Sequence, residues 1–268
     1  MDRLELVADC GSCFGLCCVA LAFERSADFP VDKDAGEPCV NLDDGFGCSI
    51  HATLRDVGYR GCTVYDCFGA GQQVSQVTFG GMSWREAPET SAAMFAALPI
   101  MRQLHEMLWY LAEAAARPEA ATLRDKIARL RESTVELTQA DADVLDGIDL
   151  PAHRDRVSPV LQQASALVRE PHDGPDHRGA AMLGAKRRGA RLRGADFRGA
   201  LLIAADLRDA DLRSSDLLGA DLRDARLDGA DLTDCLFLTQ TQVSSAQGDA
   251  ATRIPPALRR PAHWVASP

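Results

Sequence analysis

The chain has 268 residues, 46% hydrophobic and 25% charged, and its 39 acidic against 29 basic side chains give a formal net charge of −10. That length supports one large domain or two smaller ones. No stretch reaches the roughly 20 apolar residues of a membrane span, which excludes a spanning helix. The apolar run Cys13 to Phe23 follows Asp2, Glu5 and Asp9 rather than a basic segment, so it does not read as an export signal and a cytoplasmic location is expected. The charge is uneven: −7 over residues 1–87, −5 over 88–178, zero over 179–238 and +2 over the tail.

Eight of the nine cysteines fall between Cys10 and Cys67, as Cys10-x2-Cys13-x3-Cys17-Cys18, then Cys39, Cys48 with His51 three residues on, Cys62 and Cys67. Such density means a disulfide framework or metal ligands, and thiols of a cytoplasmic protein stay reduced, which favours metal. A C-x2-C turn sets two thiolates on one side of a tight loop, where a tetrahedral ion accepts both at about 2.3 Å. The candidate ligands are therefore Cys10, Cys13, Cys17, Cys18, Cys39, Cys48, His51, Cys62 and Cys67. They suffice for two four-thiolate sites, or for one such site and a second that includes His51. Adjacent side chains at Cys17 and Cys18 are expected to diverge, so the pair should not share one ion. The expected ion is zinc, because structural zinc is the commoner outcome for four-cysteine sets, with iron or an iron–sulfur cluster the alternative. Residues 1–87, short of long periodic apolar runs, read as a small Cys-rich metal-binding domain whose order depends on what the cysteines hold. Phe68-Gly-Ala-Gly-Gln72 reads as a turn closing it rather than a phosphate loop.

Residues 88–178 change to Ala, Leu, Glu and Arg. Met94, Leu98, Met101, His105, Leu108 and Leu111 recur at helical spacing, although Pro99 predicts a kink or restart. A second stripe runs through Leu123, Ile127, Leu130, Thr134 and Leu137, and a third through Val157, Leu161, Ala164 and Val168. The three predict a small antiparallel bundle or hairpin, with residues 170–179 a linker. His105, on an apolar stripe, reads as a packed side chain with a hydrogen-bond partner. Nothing arranges Ser, His and Asp into a hydrolytic set, so no catalytic residue is assigned and a non-enzymatic protein is expected.

From Gly179 to Leu238 a five-residue unit repeats twelve times without insertion, as in Ala204-Ala205-Asp206-Leu207-Arg208 and Gly219-Ala220-Asp221-Leu222-Arg223. The second residue of each unit is small and the fourth large. Five fits neither the 3.6 of a helix nor the 2 of a strand, so the chain must turn a corner every five residues to keep both inward. The array resembles the pentapeptide-repeat family, whose A(D/N)LXX units build a right-handed quadrilateral β-helix with four units per coil. The resemblance implies about three coils, roughly 14 Å tall at about 4.8 Å per strand spacing. Arg187 at an inward position predicts an irregular or open first coil. Cys235 at an inward small position reads as a core residue. Residues 239–268 are expected to form a cap, with a short helix from Thr241 and a Pro-rich tail ending in Trp264 that covers Ala230, Leu232, Cys235 and Phe237.

The cysteine segment, residues 10–67, resembles the CxxCxCC-type (YkgJ-like) family of zinc- or iron-chelating proteins. Cys10, Cys13, Cys17 and Cys18 match its leading cluster, Cys39 its lone middle cysteine, and Gly47-Cys48-Ser-Ile-His51 with Cys62 its ending. Three residues rather than one separate Cys13 from Cys17, His51 stands where the family has Tyr, and Cys67 is an additional candidate. The chain thus reads as mixed and multi-domain, a metal-binding scaffold for a protein partner, without direct nucleic-acid or membrane binding, and a possible homodimer. Two alternatives stay open. One, from the pentapeptide resemblance, is protection of DNA gyrase by mimicry of duplex DNA, against which the array's ten basic and ten acidic residues weigh. The other is a redox enzyme or accessory protein built on an iron or iron–sulfur site.

Overall fold

The computed structural model describes residues 6–264. The chain divides into two compact units, one of Met1–Ala116 with Leu123–Leu161 and one of Arg117–Thr122 with Gln162–Pro268.

In the first unit the cysteine segment is mostly turns. It carries the short helices α1 (Leu16–Ala20), α2 (Arg60–Val64) and α3 (Ala70–Gln72), the last running on as a π-helical turn Gln73–Thr78. Two isolated antiparallel bridges, Phe23 to Lys33 and Leu42 to Cys48, tie its loops. Few apolar residues are expected here to form a core, yet Leu16 and Val19 are fully buried where α1 packs on α4 (Ser91–Ala116). Phe14, Phe46, Trp84 and Phe95 run as a chain of tilted rings with centroids 5.3, 5.8 and 5.8 Å apart. The segment thus shares a core with α4 in addition to whatever its thiols hold.

The α4 helix runs unbroken through Pro99, so the expected restart does not occur. One missing N–H does not outweigh the burial of Met94, Leu98, Met101, His105, Leu108 and Leu111 along one stripe. Packed on α4 are α5 (Arg124–Thr138) and the short α6 (Ala142–Asp146), which the periodicity did not indicate. The long α7 (Leu150–Arg169) buries Val157, Leu161, Ala164 and Val168 and contains Pro159.

In the second unit the pentapeptides lie in register, with residues twenty apart bridged in parallel: Ala181 to Leu201 to Asp221, Lys186 to Asp206 to Arg226, Arg191 to Asp211 to Asp231. Four units separate each residue from its partner, and each contact is a single bridge rather than a multi-residue strand. The small and large columns are buried as expected, Ala195, Ala200, Ala205 and Ala230 beside Phe197, Leu202, Leu207, Leu227 and Leu232. The first residue of each unit takes the left-handed corner conformation, φ 61° at Gly179 and 64° at Gly199, and also 54° at Ala204 and 58° at Asp209. Arg187 is exposed, so the first coil is open at that position.

Bridging begins earlier than the repeat pattern, at Asp176, inside the expected linker. Gly174 allows it, since a Cβ there would lie 2.2 Å from the Gly194 carbonyl carbon. Bridging also outlasts the repeat, from Arg226 to Gln247 and from Asp231 to Arg253. Between these lies α8 (Gln240–Ser245), opened by a capping box in which Thr239 and Gln242 exchange side-chain and backbone bonds. Trp264 is buried and donates its indole N–H to the Ala246 carbonyl at 2.9 Å. Ala230, Leu232, Cys235 and Phe237 are accordingly at most 1% exposed, as a terminal cover requires.

Candidate functional site

The thiols come from turns and short helices that each have a local cause. Asp9 caps the 3-10 turn Cys10–Ser12 by accepting from the Gly11 N–H, which fixes Cys10 and Cys13 at its two ends. Gly15, at φ 65°, opens α1 and sets Cys17 and Cys18 on its first turn; a Cβ at Gly15 would strike Leu42 at 2.6 Å. Cys39 donates its N–H to the Cys18 carbonyl at 2.9 Å, Cys48 bridges Leu42, and Cys62 sits in α2. Cys67 precedes the left-handed Gly69 (φ 80°) that starts α3, so the Phe68–Gln72 stretch is a turn into a helix.

All nine cysteines are free. Cys17 Sγ and Cys18 Sγ lie 3.9 Å apart, which corrects the expectation that this pair diverges. Two thiolates at about 2.3 Å from one tetrahedral centre stand roughly 3.8 Å apart, so the two can share an ion. Cys13 and Cys67 meet over Gly71: a Cβ at that glycine would be 2.7 Å from Cys13 Sγ and 3.9 Å from Cys67 Sγ. Cys17 is the common neighbour, near enough that a thiolate there would disfavour ionisation of Cys10, Cys13, Cys48 and Cys62. Cys39 acts in turn on Cys48 and Cys62. His51 is exposed at the start of a 3-10 turn, its backbone N–H on the Cys48 carbonyl at 3.1 Å. Among the described residues no three Cys, His, Asp or Glu side chains stand close enough, as oriented, to hold one ion.

Electrostatics favour the neutral form of these thiols. The shared hydrogen bond with Cys18 and then burial push the Cys17 thiol far above the usual range. Burial raises Cys62 and Cys67 to about 11, backed by the Cys17, Cys39 and Cys48 thiols at Cys62 and by Asp66 and then Cys13 at Cys67, and it is also the leading cause of the upward shifts of Cys10, Cys13 and Cys48. The eight thiols are soft donors, of the kind suited to zinc or to an iron–sulfur cluster. One cation of the chain is already there. Lys33, 6% exposed, donates its ammonium to the carbonyls of Val19, Asp34 and Glu37 at 3.2, 2.9 and 2.7 Å, closing the loop that carries Cys39. Neither Lys33 nor Gly71 was singled out from the sequence, since a lone Lys in an Asp-rich loop reads as solvated and a lone Gly as a turn.

Elsewhere, His105 is buried with Nδ1 2.7 Å from the Phe68 carbonyl, the packed role expected of it. Cys235 is a core residue, its Sγ 3.0 Å from the Leu212 carbonyl. The third-position Asp residues, expected to form a solvated row, accept the N–H two residues on, as Asp211 does from Arg213 at 3.2 Å and Asp216 from Leu218 at 2.9 Å. Their carboxylates then pair within the unit, Asp206 with Arg208, Asp211 with Arg213 and Asp221 with Arg223, each at 2.6 Å. No helix among the described residues is long and apolar enough to cross a membrane.

The pattern of pentapeptide repeats matches in eight copies over residues 184–217 and 200–237. A pentapeptide repeat protein from Nostoc Pcc 7120, alr5209, has a solved structure that aligns to 35% of this chain and 93% of its own at 28% identity, with a TM-score of 0.24. The uncharacterized protein YybG of Bacillus subtilis (strain 168) is 56% identical over 265 residues, 97% of this chain and 95% of that protein. The chain carries pentapeptide repeats and belongs to the same family as YybG.

Proposed function

We propose that the chain is a non-enzymatic, metal-binding pentapeptide-repeat protein that serves as an interaction scaffold. The thiol module holds zinc, and the array, wound as a right-handed quadrilateral β-helix, presents its outer faces to a protein partner. The observation that carries this reading is that eight cysteines of the turns are all free, with Cys17 beside Cys18 and close enough to act on Cys10, Cys13, Cys48 and Cys62, while Cys13 and Cys67 meet over Gly71. Buried thiols that raise one another's pKa cannot ionise together without a cation, and a soft divalent ion supplies that charge while tying the turns to one another. Binding asks for reorientation of side chains on turns whose backbone is already closed by Asp9, Gly15 and Lys33.

For the array, pairing of Asp with Arg inside each unit supports a scaffold over a mimic of duplex DNA. A mimic needs one sign of charge spaced at about 1.7 Å of axis, whereas Asp206, Asp211 and Asp221 are each neutralised by their own Arg. Purified anaerobically and analysed for metal, the protein is expected to be colourless and to carry about one zinc or more per chain, with Cys17→Ser losing it. A brown, iron-containing protein would replace zinc by an iron–sulfur cluster. Metal-free protein whose eight thiols all react at once with a thiol reagent would sink the metal reading.

A further inference from the structure

The first coil of the array has a free edge. Ala181, Lys186 and Arg191 bridge to Leu201, Asp206 and Asp211 through bonds made by the adjacent groups: Met182, Arg187 and Leu192 donate, and Ala180, Ala185 and Ala190 accept. One coil on, Leu201, Asp206 and Asp211 donate their own N–H to the preceding coil. The N–H groups of Ala181, Lys186 and Arg191 have no such coil to meet and make no hydrogen bond among the described residues. The opposite end is closed by α8 and the Trp264 tail, so the two ends are not equivalent.

This same edge is basic. Lys186, Arg187, Arg188, Arg191 and Arg193 are all exposed, with no acidic residue among them in the sequence. Arg188 reaches Asp209 at 3.1 Å. The other four make no ion pair among the described residues, because the carboxylates in the next coil, Asp206 and Asp211, are held by Arg208 and Arg213. In a chain of net charge −10, five basic side chains on two adjoining sides of one coil, of which Arg188 pairs with Asp209 and Arg193 acts on the already paired Asp211, are a local excess.

We propose that this edge docks an acidic polypeptide segment, which turns with the coil to add its backbone along Ala181–Arg191 and sets its carboxylates on Lys186, Arg187, Arg191 and Arg193. Edge addition is a known mode of peptide recognition in which backbone bonds give affinity and side chains give choice. A phosphate polymer fits less well, since it accepts from N–H but offers nothing to an edge carbonyl. The array also has no exposed ring for base stacking, Phe197 and Phe237 being fully buried. A second copy meeting the edge head-on would bring like charges together, the arrangement that guards edges against self-addition.

The proposal rests on the reading of the array as an interaction surface and is independent of metal content. Its probe is a labelled eight-residue peptide of alternating Glu and Val, titrated with the full-length protein and read by fluorescence anisotropy. Binding is expected at low salt and should weaken as salt rises from about 50 to 200 mM. Lys186→Glu with Arg191→Glu should weaken it at least about tenfold without moving the melting of the array, because both side chains point outward. Should that pair fail to fold, Lys186→Gln with Arg191→Gln carries the same test with a smaller expected loss. Replacing the Val residues of the peptide by Pro keeps its charge but removes backbone donors, and should cost about tenfold. No binding at low salt, equal binding of the Pro peptide, unchanged binding by either variant, or preference for a single-stranded oligonucleotide of equal charge would each overturn the proposal. Metal measured on the same preparation distinguishes these outcomes from failure of the zinc reading.

Discussion

A left-handed φ at the first position of each unit explains why Gly recurs there, and it marks where the array is strained. Ala204 holds φ 54° with a Cβ that disfavours it. Ala204→Gly should therefore raise stability by about 0.5–1 kcal/mol, the relief of the corner less the added freedom of the unfolded chain, and chemical denaturation would read it. A lower midpoint would contradict the assignment of that corner. At the thiol cluster the corresponding residue is Gly71, whose hydrogen faces Cys13 Sγ. Gly71→Ala brings a methyl to 2.7 Å of that sulfur and should lower the metal content of the purified protein while α4 and the array stay folded, as far-UV circular dichroism would register. Lys33→Met removes the donor to three carbonyls at once and should destabilise the first unit by about 1–3 kcal/mol.

Among elements, the inward columns of the array leave little room to relax. Leu212, 1% exposed, should cost about 2–5 kcal/mol on truncation to Ala, and more on replacement by Lys, whose charge has no partner there. A Leu212→Lys protein that melts like the parent would refute the phase of the repeat. The Asp positions differ by burial. Asp216 is fully buried against Arg198 at 3.1 Å, and burial raises its pKa in spite of that partner. Asp216→Ala leaves Arg198, itself 12% exposed, without its ion partner and should cost about 3–5 kcal/mol, far more than the same change at a partly exposed Asp such as Asp211. The hydrogen bond from Arg213 holds the Asp211 carboxyl below its usual 3.8. Its contribution is thus present above pH 3.8 and lost as pH falls through the depressed value. Asp211→Asn should flatten the fall of array stability below about pH 3.8, and an unaltered acid limb would show that the pair does not matter.

For the whole molecule, the division into two compact units gives a differential prediction. Stripping metal should open the turns between Cys39 and Cys67 to protease, while α4, held by its aliphatic stripe, and the array, held by its columns, resist. Limited proteolysis with mass spectrometry before and after chelation would decide it, and an unchanged cleavage pattern over residues 39–67 counts against a metal-dependent module. The aromatic chain Phe14, Phe46, Trp84 and Phe95 sets the limit of the expected loss, since it anchors the segment whatever the thiols bind.

Periodicity carried by neighbouring residues was readable from the chain alone. The alternation of small and large residues at a period of five specifies which side chains turn inward, and the helical stripes of α4 and α7 identify their buried faces, because each depends only on backbone geometry over a few residues, whereas on α5 the stripe is buried at Ile127 and Thr134 but only half-buried at Leu130 and Leu137. The nine candidate ligands could be named for the same reason, as could the roles of His105 and Cys235. What only the tertiary structure decided depends on segments far apart in sequence. Cys13 and Cys67 meet over Gly71, Cys39 donates its N–H to the Cys18 carbonyl, and Lys33 reaches back to the Val19 carbonyl. The coil outlasts its repeat because Gln247 and Arg253 reach their partners across spacings of 21 and 22 residues, around α8. No local period encodes such an excursion; it is fixed by the need of the last apolar rung to be covered.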